Sequence, residues 1–170
     1  MMMNEHEKRI FNFLKALGFT EAAACGIMAN LYCESGLRGD NVQNSYERKV
    51  GNDRTYTDGV NSGKISRKSF GSDSAGFGVA QWTSKGRKLA LYDFCMSHNK
   101  DISLVEDQLF FLAMECHQMK LFPKLNKCKT AYDAAILFMT KFERPKDQSL
   151  RARMRRGSLG TSYWLKLKGV

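Results

Sequence analysis

Glu34 is the residue whose type and position most plainly suit chemistry. Ile27, Leu31 and Glu34 stand at i, i+4 and i+7 of an apolar helical pattern, so the carboxylate continues the stripe that packs inward. It also falls just before Gly36, where the negative end of the helix dipole disfavours another negative charge. Partial burial acts in the same direction, and both effects predict a proton retained near neutrality. A general acid needs such a proton to drive off a poor leaving group such as a glycosidic oxygen. The same spacing fits a frayed, exposed glutamate at a helix end.

A second carboxylate, Asp73, precedes Ser74-Ala75-Gly76-Phe77-Gly78-Val79-Ala80-Gln81-Trp82. Two glycines flanking one aromatic let the backbone approach a ligand and offer it amide and carbonyl groups. Gln81 adds a donor and an acceptor, and Trp82 a flat apolar face, both suited to sugar hydroxyls and rings. A tight turn feeding a core tryptophan accounts for the same residues.

The elements that must position these groups are mostly helical. Asn4 can cap a helix with Ile10, Phe13, Leu14 and Leu17 on one face, ended by Gly18. Thr20 can cap the helix that leads to Glu34. Residues 37–74 then turn polar and glycine-rich; within them Ser45–Val50 and Arg54–Thr57 are expected as a small hairpin or irregular loops. Gly76–Trp82 is expected to be extended. Helices resume at Gly86–His98, with Leu89, Tyr92 and Met96 on one side. The next follows a Ser103/Glu106 capping box and has Val105, Leu109, Leu112, Cys116 and Met119 at helical spacing. Thr130 can cap another, in which Ala131, Ala135, Phe138 and Phe142 align until Pro145 breaks it. A last short helix is expected from Arg151. The fold class this predicts is α+β, predominantly helical, one domain over residues 1–170 with a small β or loop region after the second helix and a basic segment from about 144.

Composition narrows the classes of function. The longest apolar run, Ala134–Met139, is six residues, far short of the ~20 that span a bilayer, so no membrane span is expected. The first residues carry Glu5 and Glu7 with no long apolar segment behind them, which predicts no secretory signal. The net charge is +10, and residues 141–170 alone carry nine Lys or Arg against two acids. Such an excess attracts polyanions: nucleic acid, an anionic membrane or an anionic cell wall. The five cysteines, Cys25, Cys33, Cys95, Cys116 and Cys128, contain no Cys-x-x-Cys pair, and His6, His98 and His117 are scattered. Neither a disulfide framework nor a zinc site is expected.

Asn30-Leu31-Tyr32-Cys33-Glu34-Ser35-Gly36-Leu37, followed by Gly76-Phe77-Gly78-Val79-Ala80-Gln81-Trp82, resembles the phage tail lysozyme family, within the wider lysozyme-like muramidases. The resemblance continues through Asn44-Ser45-Tyr46-Glu47-Arg48-Lys49, Tyr56-Thr57 and Asp73-Ser74-Ala75. Further on it takes in Arg87-Lys88-Leu89-Ala90-Leu91, Gln108-Leu109-Phe110-Phe111-Leu112 with Glu115, and Phe142-Glu143-Arg144-Pro145. In all it covers about Phe11 to Arg156.

It implies a lysozyme-like fold and cleavage of the β-1,4 glycan strand of bacterial peptidoglycan, without metal or organic cofactor. Glu34 matches the family's acid. Ser35, Gly76, Phe77, Gly78, Gln81 and Trp82 fall in the segments implied to bind substrate. Asp73 is similar in placement to an aspartate of goose-type lysozymes, with Asp53 and Asp58 as rivals. The resemblance also implies a phage virion tail, with its tail proteins as partners, or the host cytoplasm before lysis. Glu115 and Glu143 could line the cleft but better suit structural ion pairs with an arginine, Tyr132 could contact the substrate but better suits a core, and Tyr32, Phe77 and Trp82 suit either core or groove. Three rival readings stand beside this one. A lytic transglycosylase would need one Glu and no water-activating aspartate. A nucleic-acid module would need stacking aromatics among the cations of residues 144–156, and none is there. A wall-binding protein on an inactive scaffold is opposed by an intact Glu34.

Overall fold

The computed structural model describes residues 2–97 and 101–170; His98, in the expected helix Gly86–His98, lies outside them. Ten α-helices are described: α1 Glu5–Ala16, α2 Glu21–Ser35, α3 Glu47–Val50, α4 Asp53–Asn61, α5 Arg67–Ser72, α6 Lys85–Ser97, α7 Val105–Gln118, α8 Phe122–Asn126, α9 Ala131–Phe138 and α10 Leu150–Lys168. The chain divides into two compact units, Met1–Cys33 with Leu112–Val170, and Glu34–Phe111. Among the described residues no helix is long and apolar enough to cross a membrane.

In the first unit the caps follow the sequence. Asn4 accepts from the Glu7 amide and Glu7 returns the bond to the Asn4 amide, a capping box that starts α1. Thr130 caps α9 through the Asp133 amide. α2 carries Ile27, Met28 and Leu31 into the core, where Phe138 of α9 is also buried. The close approach of α2 to α9 depends on Gly26: a Cβ there would lie 2.6 Å from the Ala135 nitrogen. Cys25, Cys95 and Cys116 are buried in their respective units, and burial pushes the Cys25 thiol up to about 12. A wide π-type turn, Met139–Glu143, ends on Arg144 in the left-handed region, just before Pro145. α10, expected from Arg151 as a short helix, instead runs 19 residues from the Ser149 cap.

The second unit holds the main departure from expectation. The predicted hairpin is absent: Asn44–Tyr46 is a 3₁₀ turn, and α3, α4 and α5 follow it. The polar residues that read as loop formers are caps. Asn52 accepts from the Thr55 amide and Ser66 from the Ser69 amide, while Tyr56, Thr57, Gly59 and Val60 supply the buried face of α4. Among the described residues of this unit β structure is confined to two isolated bridges, Val42 with Phe77 and Phe77 with Trp82. The Ser103/Glu106 box is not what starts α7: the helix begins at Val105, and the Ser103 hydroxyl donates to Asp101 at 2.7 Å. α6 is turned by one residue from its expected face, burying Lys88, Leu91 and Cys95 in place of Leu89, Tyr92 and Met96. Phe70, Tyr56 and Phe77 form an aromatic cluster with centroids 5.5–6.0 Å apart, and Trp82 meets Phe111 edge-on at 5.6 Å.

Candidate active site around Glu34

Glu34 lies in the last turn of α2 and is half-buried. The helix stops because Gly36 and then Leu37 both take positive φ, 64° and 66°. Its neighbour Ser35 is buried and anchors that end: the hydroxyl donates to the Val79 carbonyl at 2.8 Å and accepts from the Arg38 amide at 3.2 Å. The end of the helix is thereby tied to the glycine segment.

That segment is a tight turn, not the expected extended strand. Phe77 and Trp82 exchange backbone bonds of 3.1 and 2.9 Å across it. Gly78 and Gln81 adopt positive φ, 82° and 49°, and a Cβ on Gly78 would press on the Gln108 amide at 2.8 Å. Three polar side chains lock the turn. Gln108 accepts from the Val79 amide at 2.7 Å and donates to the carbonyls of Gly39 and Ile102. Gln81 donates to the carbonyls of Asn41 and Gly78 at 2.9 and 3.0 Å. Gln43 exchanges bonds with both backbone groups of Gly76.

Of the residues expected to touch a substrate, Phe77 and Trp82 have no exposed surface; the core alternative holds for both, because the aromatic cluster and Phe111 enclose them. Ser35, Gly76 and Gly78 are buried too and shape the turn, whereas Gln81 keeps partial exposure.

Asp73 stands at the end of α5 with both carboxylate oxygens engaged. One accepts from the Tyr56 hydroxyl, the other from Lys88 Nζ at 2.5 Å and the Ala75 amide at 2.9 Å. Lys88 is wholly buried. Its ammonium also donates to the Ala75 carbonyl at 2.8 Å and lies 4.3 Å from the Phe70 ring centroid. Burial draws the Lys88 pKa below the ordinary lysine value against the pull of Asp73, and burial together with Asp73 raises that of Tyr56. This cluster holds the base of the glycine turn.

The rival carboxylates differ. Asp53 accepts from the Val42 amide at 2.8 Å and from Arg38 at 2.5 Å, so it braces the 38–42 loop. Asp58 is exposed on α4, 3.8 Å from Arg54. Glu115 is buried on α7, and Glu143 lies half-buried at the end of the π-type turn. Tyr32 is exposed, and Tyr132 packs its ring on Gly157.

Lys88 and Gln108 are the site residues that sequence reasoning missed as functional. Both lie within the segments that carry the resemblance, and Lys88 continues i, i+3, i+7 into Leu91 and Cys95. Among the described residues no three His, Cys, Asp or Glu side chains converge to hold a metal ion.

The protein is thus mostly helical, with a half-buried carboxylate at one helix end that is bonded through its neighbour to a braced glycine turn. The chain belongs to the phage tail lysozyme family, whose model matches residues 5–167. A search of curated proteins brings no match. Family membership makes it a phage-associated, lysozyme-like enzyme acting on peptidoglycan.

Proposed function

We propose that this protein has a lysozyme-like fold and cleaves the β-1,4 glycan strand of peptidoglycan as a muramidase, with Glu34 protonating the glycosidic oxygen. The observation that carries the reading is the Ser35–Val79 hydrogen bond, which fixes the turn bearing Glu34 beside the glycine segment. A proton donor held in one geometry lowers the barrier to leaving-group departure, and Gln81, whose amide nitrogen is committed to the turn, leaves its side-chain oxygen as an acceptor for a sugar hydroxyl. Delivery on a virion tail, in contact with tail proteins, belongs to the same reading and is supported by the family.

One observation favours a second reading. In a hydrolase, Asp73 would act as the base for the attacking water, yet both its oxygens are held by Lys88, Tyr56 and the Ala75 amide. A lytic transglycosylase needs no such base: Glu34 gives its proton and takes one back as the muramic acid's own hydroxyl attacks. Mass spectrometry of fragments released from purified peptidoglycan separates the two. Reducing muramic ends support hydrolysis, anhydro ends support transglycosylation, and release of peptides without glycan fragments sinks both.

A further inference from the structure

The chemistry at Glu34 gives no role to a cavity of about 510 Å³ in the first unit, where α10 passes the capped start of α9. Two glycines bring these helices together. A Cβ on Gly157 would lie 2.4 Å from the Tyr132 ring, and one on Gly160 2.5 Å from the Ala131 carbonyl oxygen. Thr161 and Trp164 stand at i+4 and i+7 from Gly157, so they continue the same stripe of α10. They line the cavity with Lys129, Thr130, Tyr132 and Asp133.

The two aromatic rings of the lining are half-buried, and each is backed on one side. Tyr132 rests on α10 at Gly157, where a side chain would displace it. Trp164 has the Lys168 ammonium 4.7 Å from its ring centroid, and Glu21 pairs with that ammonium at 2.9 Å; Lys168 does not line the cavity. Around the rings stand polar groups with unused capacity. Among the described residues the Trp164 indole N–H and the Tyr132 hydroxyl make no hydrogen bond, and Lys129 makes no ion pair. Asp133 accepts from the Thr130 hydroxyl with one oxygen, at 2.7 Å, and keeps the other open. Lys129 and Asp133 are the charged residues of the lining, and their charges cancel in a chain whose net charge is +10.

We propose that this cavity binds a neutral saccharide, a stretch of the wall's glycan strand in addition to the one cleaved at Glu34. A pyranose has apolar C–H faces and a rim of hydroxyls. The faces lie against Trp164 and Tyr132, whose rings supply apolar area with a polar tip. The hydroxyls accept from the indole N–H and donate to the open oxygen of Asp133, with the Tyr132 hydroxyl serving either way. A cavity of this size, apolar with a few placed polar groups, is of the kind that holds small ligands. Nucleic acid and anionic lipid fit less well, because the lining carries no net charge to attract them. Naming the saccharide as wall glycan rests on the peptidoglycan reading above.

The test reads Trp164 directly. The chain has two tryptophans, and Trp82 is wholly buried, so the emission that acrylamide quenches belongs to Trp164. The probe is peptide-free glycan strands, released from purified peptidoglycan by an amidase, and Glu34→Gln keeps them intact during the titration. Glycan should shield the emission from acrylamide, and the shielded signal should vanish in Glu34→Gln/Trp164→Phe. Adding Tyr132→Phe removes one hydroxyl and leaves the ring on Gly157, and adding Asp133→Asn alters an exposed side chain. Each should raise the glycan concentration for half-shielding about threefold, with an unchanged melting temperature. Half-shielding that neither change moves overturns the proposal, and so does shielding by the released peptide stems or by a single-stranded DNA oligonucleotide. Emission that glycan never shields, in a protein whose wild type releases glycan fragments from sacculi, overturns this inference alone. A wild type that releases none overturns the peptidoglycan reading, and shielding by glycan then still supports the saccharide site.

Discussion

The Ser35 hydroxyl reaches the Val79 carbonyl at 2.8 Å across 44 residues of sequence. Glu34 is the residue before Ser35, so this bond fixes the carboxylate relative to the turn that Gln108, Gln81 and Gln43 brace. Ser35→Ala removes the donor to the buried Val79 carbonyl and one of two acceptors of the Arg38 amide, which keeps the Ser35 carbonyl at 3.3 Å. The expected cost is ~1–3 kcal/mol of stability, seen as a lower melting temperature. Below that transition kcat should fall while KM for the glycan changes little. An unaltered kcat would detach Glu34 from this bond.

Glu34→Gln tests the acid itself. The amide is nearly isosteric but holds no transferable proton, and general acid catalysis supplies ~10²–10⁴-fold. Turbidity assays on cell walls should show a loss of that size, with circular dichroism and melting unchanged. Clearing at the wild-type rate by the folded variant would remove Glu34 from the mechanism.

How far these arrangements are legible in the sequence depends on how local the determining contacts are. The caps Asn4, Thr20 and Thr130 and the helix end at Glu34–Gly36 lie within a turn of what they control, and those features read correctly. Asn52 and Ser66 are as local, but Asn and Ser serve caps and loops alike, so residues 37–74 read as a polar insertion, with a hairpin or irregular loops at 45–50 and 54–57, where α4 and α5 form. Lys88 misleads for another reason. A cation inside an apolar pattern normally marks the solvent face, and its burial rests on Asp73, 15 residues away, and Tyr56, 32 away. Nothing near Lys88 in the sequence announces that pairing, and the inner face of α6 reads one residue off as a result. The burial of Phe77 and Trp82 likewise follows from Phe70, Tyr56 and Phe111, contacts that no single segment contains.

The Asp73–Lys88 pair gives a prediction that separates support from catalysis. Asp73→Asn strands a buried ammonium, and breaking a buried pair from one side costs ~3–5 kcal/mol. The single variant should therefore melt far below the wild type. Lys88→Met on top of it removes the stranded charge and should recover much of the stability. If Asp73 only supports the turn, activity returns with stability in the double variant. A stable double variant that stays inactive, with intact binding of the glycan, would restore to Asp73 the role of base.

Glu7 sets a pH dependence for the unit that holds α1 and α10. Burial raises its pKa, but hydrogen bonds from Lys166 at 2.9 Å and from the Asn4 amide at 3.0 Å outweigh that, and the carboxyl ends below its ordinary value of 4.5. A carboxyl whose folded pKa is depressed adds stability that is fully present above the unfolded value. That stability is lost as pH falls through the folded one. Glu7→Gln should therefore lower stability by ~1 kcal/mol at neutral pH, since the pair is mostly but not wholly shielded from solvent, with side-chain exposures of 22% and 9%. Denaturant titrations of wild type and variant should converge as the pH drops below 4.5, because a protonated Glu7 and the variant's neutral amide then present the same charge to Lys166. A gap that stays constant through that range would assign the effect to packing of the side chain and not to its charge.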